Sequence, residues 1–381
     1  MSVFSDAIKN FLSPIGNLLD DPAVTEVMIN GPHEIFVERK GLVYLTDNKF
    51  RDESSLIAAM RSIAQSVGRV IDDDNPRLDA RLPDGSRIHV VLPPMARNGT
   101  TVAIRKFSED DLTLTDLINF GSMSKMGARF LDICVHLGKN IIVSGGTGSG
   151  KTTMLNVLGG RIPVTQRLII IEDAAELQIT SEHVVNFETR KEDPTAGTLG
   201  VSIRDLVISA MRLRPDRIIV GEVRGEEALD LIQVMNTGHD GSMGTVHANN
   251  PEDACTRLET LCLMGDTKIP AAAVKKMVGS AMQLIVQCSR MHDGSRRTTH
   301  ISEIMGIDNH GNYISKDIFK WVQTGKDEKT GKYIGEMIPC NYVPSFFNDI
   351  VVNKLPFPKQ NFIAPDWSKE YFATPKKKKV A

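Results

Sequence analysis

Residues 140–158 read NIIVSGGTGSGKTTMLNVL, and this stretch decides the fold of the chain. Its centre, residues 145–152, fits the phosphate-binding pattern G-x-x-x-x-G-K-[ST] and is named the P-loop below. An apolar strand is predicted before the P-loop, and apolar residues at helical spacing follow it. A glycine-rich turn that carries Lys and Thr by coincidence is the alternative. The strand before it and the helix after it favour a nucleotide site.

Each residue type in the P-loop has a chemical role. Glycines let backbone N–H groups turn inward around phosphate oxygens, and the helix that starts near Lys151 adds the positive end of its dipole. Lys151 can reach the β- and γ-phosphates, and the Thr152 hydroxyl can bind Mg²⁺. The predicted cofactors are therefore ATP and Mg²⁺. The predicted ATP contacts in this stretch are Gly145, Gly146, Thr147, Gly148, Ser149, Gly150, Lys151, Thr152 and Thr153.

Composition limits the classes of function. The chain has 381 residues, enough for two domains, and 45 Lys and Arg against 47 Asp and Glu give a net charge of −2. The chain therefore lacks the excess of positive charge that is typical of nucleic-acid-binding proteins, although this balance does not exclude a local basic patch. The five cysteines form no C-x-x-C pair, which favours reduced thiols in a cytosol. No apolar run reaches about 18 residues, so no membrane span is predicted.

Residues 1–107 are predicted to form a small α/β domain with a mostly antiparallel sheet. Apolar residues at helical spacing predict a helix at residues 53–69. Alternating apolar residues and turn signals predict strands at residues 26–30, 34–38, 42–45, 78–82, 87–92 and 101–105. A polar stretch that begins with SEDD at residues 108–111 predicts a linker over residues 108–121.

From residue 140 onward, apolar strands alternate with helices. The strands are predicted at residues 140–144, 167–171, 217–221 and 243–247. The helices are predicted near residues 151–159, 202–213 and 225–236. This alternation predicts a parallel sheet that is covered on both faces, within a domain over residues 122–311. A hairpin of residues 284–287 and 298–307 predicts an antiparallel addition to the sheet.

Residues 312–381 are rich in aromatic residues and prolines. We expect an ordered extension that packs through its aromatic side chains and ends in a loose tail. The four lysines at residues 376–379 are interpreted as a solvated end, and contact with anionic lipid headgroups is the alternative.

Acidic residues follow two of the predicted buried strands. Glu172, Asp173 and Glu176 come after the strand at residues 167–171, and Glu222 comes after the strand at residues 217–221. Because ligands bind at the carboxyl ends of parallel strands, both acidic groups are expected beside the P-loop. Carboxylates there can hold the Mg²⁺ shell or orient the attacking water. Alone, each group is also typical of a solvated helix start.

Basic residues complete the predicted site. His247 ends another predicted strand, and we interpret it as a sensor of the γ-phosphate, because no second ligand stands at zinc spacing. A structural histidine is the alternative. Phosphoryl transfer needs at least one cation to offset the charge of the transition state. The candidate arginines in this half of the chain are Arg204, Arg212, Arg214, Arg224 and Arg257.

Four ordered segments carry a resemblance to a known family. They are GGTGSGKTT (145–153), IIIEDAAEL (169–177), RPDRIIVGEVRG (214–225) and NTGHDGSMGTVHANN (236–250). Together they resemble the secretion-ATPase superfamily, whose members power type II and type IV secretion and type IV pili. RLDARLPDGSRIHVVLPP (77–94) and VAIRKF (102–107) resemble the N-terminal domain of its tight-adherence (Flp) pilus branch.

The resemblance implies a fold, an assembly and residue roles. It implies a C-terminal RecA-like P-loop NTPase domain, a smaller N-terminal α/β (PAS-like) domain, and a homohexamer that holds nucleotide between the two domains. By position, Lys151 and Thr152 match the Walker A motif, and Glu222 matches the Walker B acid, which would hold Mg²⁺ through water. The other implied nucleotide-site residues are Glu172, Asp173 and Glu176 of the Asp box, with Glu176 as the catalytic base, His239 and His247 of the His box, and Arg105 of the N-terminal domain.

The predicted function is a cytoplasmic hexameric motor ATPase, peripheral at the inner-membrane face. ATP hydrolysis would drive inner-membrane platform proteins that assemble a Flp-like type IV pilus or secrete protein. A RecA-like hexameric nucleic-acid translocase is one alternative, but the near-neutral charge disfavours a nucleic-acid partner. An ATP-dependent assembly switch with little turnover is the other. The presence of both Glu176 and Glu222 disfavours it.

Overall fold

The structure is a computed structural model that describes residues 10–39, 41–107, 112–190, 192, 198–265, 268–368 and 371. It divides into two compact units, Met1–Asp110 and Asp111–Ala381, and each is described by itself. Residues 108–111 of the predicted linker and the lysines at residues 376–379 lie outside the described residues. Within the described part of the chain, no helix combines the length and apolar character needed to cross a membrane.

The first unit is built on a six-stranded antiparallel sheet with strand order β3-β2-β1-β6-β5-β4. Its strands are β1 (Val24–Asn30), β2 (Ile35–Arg39), β3 (Leu42–Leu45), β4 (Arg77–Arg81), β5 (Arg87–Val91) and β6 (Thr101–Arg105). A 3₁₀ turn (Ser13–Ile15) and the short helix α1 (Gly16–Asp20) precede the sheet, and helix α2 (Glu53–Ser66) follows β3. All of these strands agree with the sequence expectation to within two residues at each end.

Helix α2 shows why the sequence predicts this unit well. Its start is capped reciprocally, because the Asp52 carboxylate accepts a hydrogen bond from the Ser55 N–H and the Ser55 hydroxyl accepts one from the Asp52 N–H. Apolar residues three or four positions apart place one face of the helix on the sheet. The largest fully buried residues of that face are Leu56, Met60 and Ile63.

The second unit contains a nine-stranded mixed sheet with strand order β15-β14-β13-β12-β7-β11-β10-β8-β9. Its strands are β7 (Ile141–Gly145), β8 (Leu168–Glu172), β9 (Val184–Glu188), β10 (Arg217–Val220), β11 (Met243–Val246), β12 (Leu284–Arg290), β13 (Arg296–Ile307), β14 (Tyr313–Lys326) and β15 (Tyr333–Pro339). The neighbours from β12 to β9 pair in parallel, and those from β12 to β15 pair antiparallel.

Helices cover this sheet on both faces, as the alternation of elements predicts. They are α3 (Leu114–Asn119), α4 (Lys125–His136), α5 (Lys151–Gly159), α6 (Ile203–Ala210), α7 (Glu227–Asn236), α8 (Pro251–Cys262), α9 (Ala271–Ala281) and α10 (Phe347–Val352). Strand β7 is buried on both sides. Ile141 and Val143 belong to one apolar cluster with α4 and α5, whereas Ile142 belongs to a second cluster with α6 to α9.

Two parts of the sheet differ from the sequence expectation. The predicted hairpin joins the sheet through a parallel pairing of β12 with β7, so the antiparallel part begins only at β13. Strand β9 was not predicted. It is a five-residue edge strand whose residues are half-buried or exposed, so it lacks the apolar run that marks the central strands.

The C-terminal extension completes the core of the second unit. Strands β14 and β15 widen the sheet, and the chain then returns across α4. The Phe130 ring of α4 lies with its centroid 5.5–6.2 Å from four rings of the extension. These rings are Phe319, Phe346, Phe357 and Phe362. The extension therefore packs through its aromatic residues, as expected from its composition.

Candidate active site

The P-loop and three polar segments meet at one edge of the nine-stranded sheet. Strands β7, β11, β10 and β8 are adjacent and parallel, so their carboxyl ends lie at the same edge. The P-loop continues β7 at this edge. The same edge also carries residues 173–177 after β8, residues 221–225 after β10, and His247 after β11.

Two glycines give the P-loop its shape. A Cβ atom on Gly145 would lie 2.3 Å from the Cys288 carbonyl oxygen, so no larger residue fits there. Gly150, just before α5, has a φ of +93°, a left-handed conformation that favours glycine. The Lys151 ammonium donates a hydrogen bond to the Gly146 carbonyl at 2.9 Å. The loop therefore curls around the N-terminus of α5, an arrangement that suits phosphate binding.

Glu222 lies among three basic groups. His247 Nε2 is 2.7 Å from Glu222 Oε1 and 3.4 Å from Lys151 Nζ, and the Arg224 guanidinium donates to Glu222 Oε2. Burial acts to raise the pKa of Glu222, but its hydrogen bond to Arg224 and the nearby positive charges outweigh burial and lower that pKa. Burial and the Lys151 charge lower the pKa of His247. At neutral pH the site thus contains an ionised Glu222 and a neutral imidazole.

Glu172 is a buried acid that holds the loop after β8. Its Oε1 accepts hydrogen bonds from the backbone N–H groups of Glu176 (2.9 Å) and Leu177 (3.0 Å). Burial raises the pKa of Glu172 to about 7. A Cβ atom on Gly221 would lie 2.9 Å from Glu172 Cγ, so this side chain also packs against the backbone that leads to Glu222. Glu172 therefore supports both acidic segments of the site.

A second buried acid, Glu227, holds the loop after β10. Its Oε1 accepts hydrogen bonds from the N–H groups of Arg224 (2.6 Å) and Gly225 (2.8 Å). The guanidinium of Arg224 also lies 3.8 Å from Asp173 Oδ2, which links the two acidic segments. Sequence reasoning missed Glu227. The available signal was an acidic residue in the first turn of a helix that follows the Walker B strand.

Two further arginines, missed from the sequence, lie at the P-loop. Strand β12 pairs in parallel with β7, with Cys288 opposite Gly145, and continues beyond that point to Arg290. Arg296 Nε, on β13, donates a hydrogen bond to the Gly148 carbonyl at 2.9 Å. Arg290 Nη1 lies 3.4 Å from the position of a Cβ atom on Gly148. Sequence reasoning ended this strand three residues too early, at residue 287, so the hairpin was not seen to reach the loop.

One predicted nucleotide contact within the second unit, His239, is not brought to this edge. His239 precedes β11 and therefore lies at the amino edge of the sheet, where its carbonyl accepts a hydrogen bond from the Ser242 hydroxyl at 2.8 Å. Arg105 belongs to the first unit. It is the exposed last residue of β6, opposite Glu26 on β1 and Arg87 on β5.

Of the candidate arginines from the sequence, Arg224 lies at the site. Arg204 instead forms two ion pairs, one with Glu226 just before α7 at 2.8 Å and one with Asp230 within α7 at 3.2 Å. The three others, all exposed, are Arg212, Arg214 and Arg257.

The residues at this edge fit a magnesium ion that is held together with a nucleotide. Mg²⁺ keeps several waters and is bound through one or two protein oxygens plus substrate phosphates. Thr152, in the first turn of α5, supplies a hydroxyl, and the ionised Glu222 supplies a carboxylate. Among the residues that the structure describes, no group of three or more His, Cys, Asp or Glu side chains could hold a metal ion.

Residues 9–327 match the model of a protein family described as "Type II/IV secretion system protein". The chain belongs to this family. VirB11 of the type IV secretion system of Brucella suis is 36% identical to it over 332 residues, which cover 78% of this chain and 90% of VirB11. The conjugal transfer protein TrbB of Rhizobium radiobacter is 34% identical over 296 residues, which cover 77% of this chain and 87% of TrbB.

A solved structure supports the fold of this family member. The pilus retraction motor PilT with bound ADP has a TM-score of 0.50 at 19% identity, and the match covers 93% of this chain and 87% of PilT. At this identity the likeness concerns the fold alone. Together, these findings confirm the predicted secretion-ATPase superfamily, the predicted α/β fold class and the predicted enzyme class, an ATPase.

The buried Glu172 gives a testable pH dependence of stability. Its pKa rises from 4.5 in the unfolded chain to about 7 in the folded one, so the folded state binds the proton more tightly. The stability from this group is therefore present at low pH and is lost as the pH rises through 7. Glu172→Gln keeps an oxygen for the two N–H groups but has no charge to bury. Its stability relative to wild type should grow between pH 5 and pH 8 by on the order of 2 kcal/mol.

Thermal midpoints of both proteins at pH 5 and pH 8 check this expectation. Glu182→Gln is the control, because Glu182 is exposed in the segment before β9 and its replacement should shift the midpoint equally at both pH values. A Glu172→Gln shift that is the same at pH 5 and pH 8 would contradict the buried-acid interpretation.

Proposed function

We propose that this chain is the hexameric motor ATPase of a Flp-like type IV pilus or of a related protein-secretion machine, peripheral at the cytoplasmic face of the inner membrane. One observation carries the proposal. The edge that bears the P-loop also gathers an ionised Glu222, a neutral His247 and the loop of Glu176, which are the parts that phosphoryl transfer to water requires. The family match and the name of the relative VirB11, a type IV secretion system protein, support secretion as the process.

In the proposed mechanism, ATP phosphates occupy the P-loop cradle. The Lys151 ammonium, which donates to the Gly146 carbonyl, turns to the β- and γ-phosphates. Thr152, and Glu222 through water, would hold Mg²⁺, which would supply positive charge against the phosphate oxygens. The backbone of Glu176 is anchored on Glu172, so its carboxylate is held on a fixed loop and acts as the base that orients and deprotonates the attacking water.

His247 is proposed to report the state of the γ-phosphate. Its Nε2 lies within 3.4 Å of Lys151 Nζ and 2.7 Å of Glu222 Oε1, so it contacts both groups that act on the phosphate and its metal. A neutral imidazole can donate one hydrogen bond, either to the Glu222 carboxylate or to a phosphate oxygen. A switch of this hydrogen bond from one acceptor to the other would signal the loss of the γ-phosphate to strand β11, which ends just before His247.

Force generation is proposed to come from closure of the first unit on ATP. Arg105, at the exposed end of β6, would contact the phosphates in the closed state and leave them in the open state. Hydrolysis and product release would then reopen the units and move the attached platform proteins.

Steady-state phosphate release, with and without DNA, tests the proposal against its alternatives. We expect turnover that DNA does not stimulate. DNA stimulation would favour the nucleic-acid translocase, and tight ATP binding without turnover would favour the assembly switch.

Capture of inner-membrane platform proteins by a Glu176→Gln chain, which is expected to stay loaded with ATP, tests the partner assignment. Failure to enrich them over the wild-type chain with ADP would contradict it.

Replacement of Arg105 by Ala tests the closure mechanism. If Arg105 contacts phosphate, turnover should fall at least about tenfold, because a cation that offsets transition-state charge is lost. The ATP-dependent compaction measured by small-angle scattering should also disappear. Arg77→Ala removes the same charge from an exposed position of β4 and should change neither property. Normal turnover and normal compaction in Arg105→Ala would remove Arg105 from the mechanism, and hexamer formation serves as the check on folding.

A further inference from the structure

The C-terminal extension presents apolar side chains to solvent as well as to its core. Ile350 and Phe362 are each 1% exposed and belong to the apolar core of the second unit. Residues that follow these anchors are instead exposed. The exposed fraction is 55% for Val351, 68% for Val352 and 62% for Ile363. Packing of the core therefore does not account for these three residues.

An aromatic pair adds to the exposed apolar residues of the extension. The rings of Trp367 and Tyr371 form an edge-to-face contact with centroids 6.2 Å apart, and about half of each side chain is exposed. The 3₁₀ turn that carries Trp367 is anchored by the buried Ser368, whose hydroxyl donates to the Pro365 carbonyl at 2.7 Å. The turn thus holds the pair at the surface. The exposed C-terminal apolar residues are Val351, Val352, Ile363, Trp367 and Tyr371.

Lysines accompany these apolar residues. Residues 351–381 contain seven lysines and two acidic residues, in a chain whose net charge is −2. Lys354 and Lys359 are exposed, and Lys359 Nζ lies 5.3 Å from the centroid of the Phe347 ring, at the start of α10. The lysines at residues 376–379 continue the same basic sequence. This segment therefore combines a local excess of positive charge with exposed aliphatic and aromatic side chains.

The nucleotide site does not explain this combination. The family model matches residues 9–327, which contain the P-loop and end before residue 351. Protein–protein interfaces are depleted in lysine. Lysine together with Trp and Tyr is instead typical of segments that bind a membrane surface. Aromatic rings there lie at the level of the headgroups, and ammonium groups are attracted to anionic lipids.

We propose that residues 351–381 dock the chain directly on an anionic lipid bilayer. The exposed C-terminal apolar residues enter the headgroup region, and the lysines bind the phosphates of anionic lipids. The inference rests on the proposed location at the membrane face and adds a lipid contact of the chain itself to the contact with platform proteins. It gives the lysines at residues 376–379 a role at lipid headgroups instead of a solvated end. Nucleotide is not required for this contact.

Sedimentation of the full chain with lipid vesicles, without nucleotide, tests the proposal. Vesicles of phosphatidylcholine with about 30% phosphatidylglycerol should bind the chain, and vesicles of phosphatidylcholine alone should bind it weakly. Binding to the anionic vesicles should weaken at about 0.5 M salt, because salt screens the attraction. The chain has two tryptophans, so Trp321→Phe leaves Trp367 as the reporter. Its fluorescence should shift to shorter wavelength when the anionic vesicles bind.

Variants at exposed positions locate the contact. Trp367→Ser and Val352→Ser each remove an exposed apolar side chain and should lower the vesicle partition coefficient about fivefold to tenfold. The double variant Lys354→Gln/Lys359→Gln should lower it about tenfold, and replacement of all four lysines at residues 376–379 by Gln should lower it at least as much. Trp367→Phe keeps an aromatic ring and should recover part of the binding.

Two matched controls make the location specific. Val70→Ser removes an exposed apolar side chain from the first unit, and Lys329→Gln/Lys332→Gln removes two exposed charges from the turn between β14 and β15. Both controls should bind vesicles as the wild type does. Equal losses in the controls, or unchanged binding in the C-terminal variants, would overturn the proposal.

The wild-type chain separates this proposal from the proposed function. Absence of binding to anionic vesicles, or equal binding to both kinds of vesicle, would overturn the lipid contact, and absence of binding would favour a protein partner for the extension. A chain that hydrolyses ATP but does not bind vesicles would refute the lipid contact alone. A chain that binds anionic vesicles but does not hydrolyse ATP would support the lipid contact and refute the motor.

Discussion

Replacement of Lys151 by Ala is expected to abolish tight ATP binding, with Kd raised at least about a hundredfold. Lys151 is the first residue of α5 and is only 8% exposed, and its ammonium lies between the Gly146 carbonyl and His247. No other lysine of the P-loop can replace this charge at the β- and γ-phosphates. The alanine variant keeps the helix, because Ala has the highest helix propensity.

Calorimetric titration with MgATP measures this effect, and circular dichroism shows whether the variant is folded. Lys276→Ala is the control, since Lys276 is exposed on α9 and its removal takes away the same charge from the chain. Its ATP affinity should match that of wild type. An unchanged Kd in a folded Lys151→Ala chain would mean that the P-loop does not hold the triphosphate in the proposed way.

The second large effect is expected from Glu176→Gln. The substitution keeps the size of the side chain, and the backbone N–H of residue 176 can still donate to the Glu172 carboxylate. Only the basic oxygen is lost, so ATP should bind with near-normal affinity while kcat falls roughly a hundredfold or more. Single-turnover hydrolysis and equilibrium binding, measured on the same preparation, separate the two quantities.

Two comparisons make the test of Glu176 specific. Glu182→Gln alters an exposed acid in the segment before β9 and should leave kcat unchanged. Glu222→Gln should also lower kcat, but with an altered dependence on Mg²⁺ concentration, because Glu222 is assigned to the metal. Wild-type turnover in Glu176→Gln would transfer the role of base to Glu172, whose pKa of about 7 would suit it.

Much of the central sheet is predictable because its signals are local. Each of β7, β8 and β10 is a buried strand that contains an apolar run, and such runs are visible in the sequence itself. Glu172 ends β8 and Glu222 comes two residues after β10, so the position of the ligand edge follows from the same pattern. Strand β9, at the edge of the sheet, was not predicted, because its residues are half-buried or exposed and it therefore lacks a clear apolar run.

The pairwise geometry of the site is less predictable. Glu172 was predicted to contact nucleotide, yet its Oε1 binds two backbone N–H groups of its own loop. His239 and His247 stand in one motif, but the four-residue strand β11 separates them, so they reach opposite edges of the sheet. Residues of one motif are close along the chain, but a strand that lies between two of them places them at its opposite ends.

The sequence by itself determined that this chain is an α/β ATPase with a P-loop, because glycine positions, apolar runs and the acids that follow them act over a few residues. Only the tertiary structure decided that Arg296, 148 positions from Gly148, donates to the P-loop, and that Glu227 and Glu172 hold the two acidic loops. The physical reason is register. The contact of Arg296 depends on which residue of β12 lies beside Gly145, and that register is a property of packed neighbouring strands rather than of either strand alone.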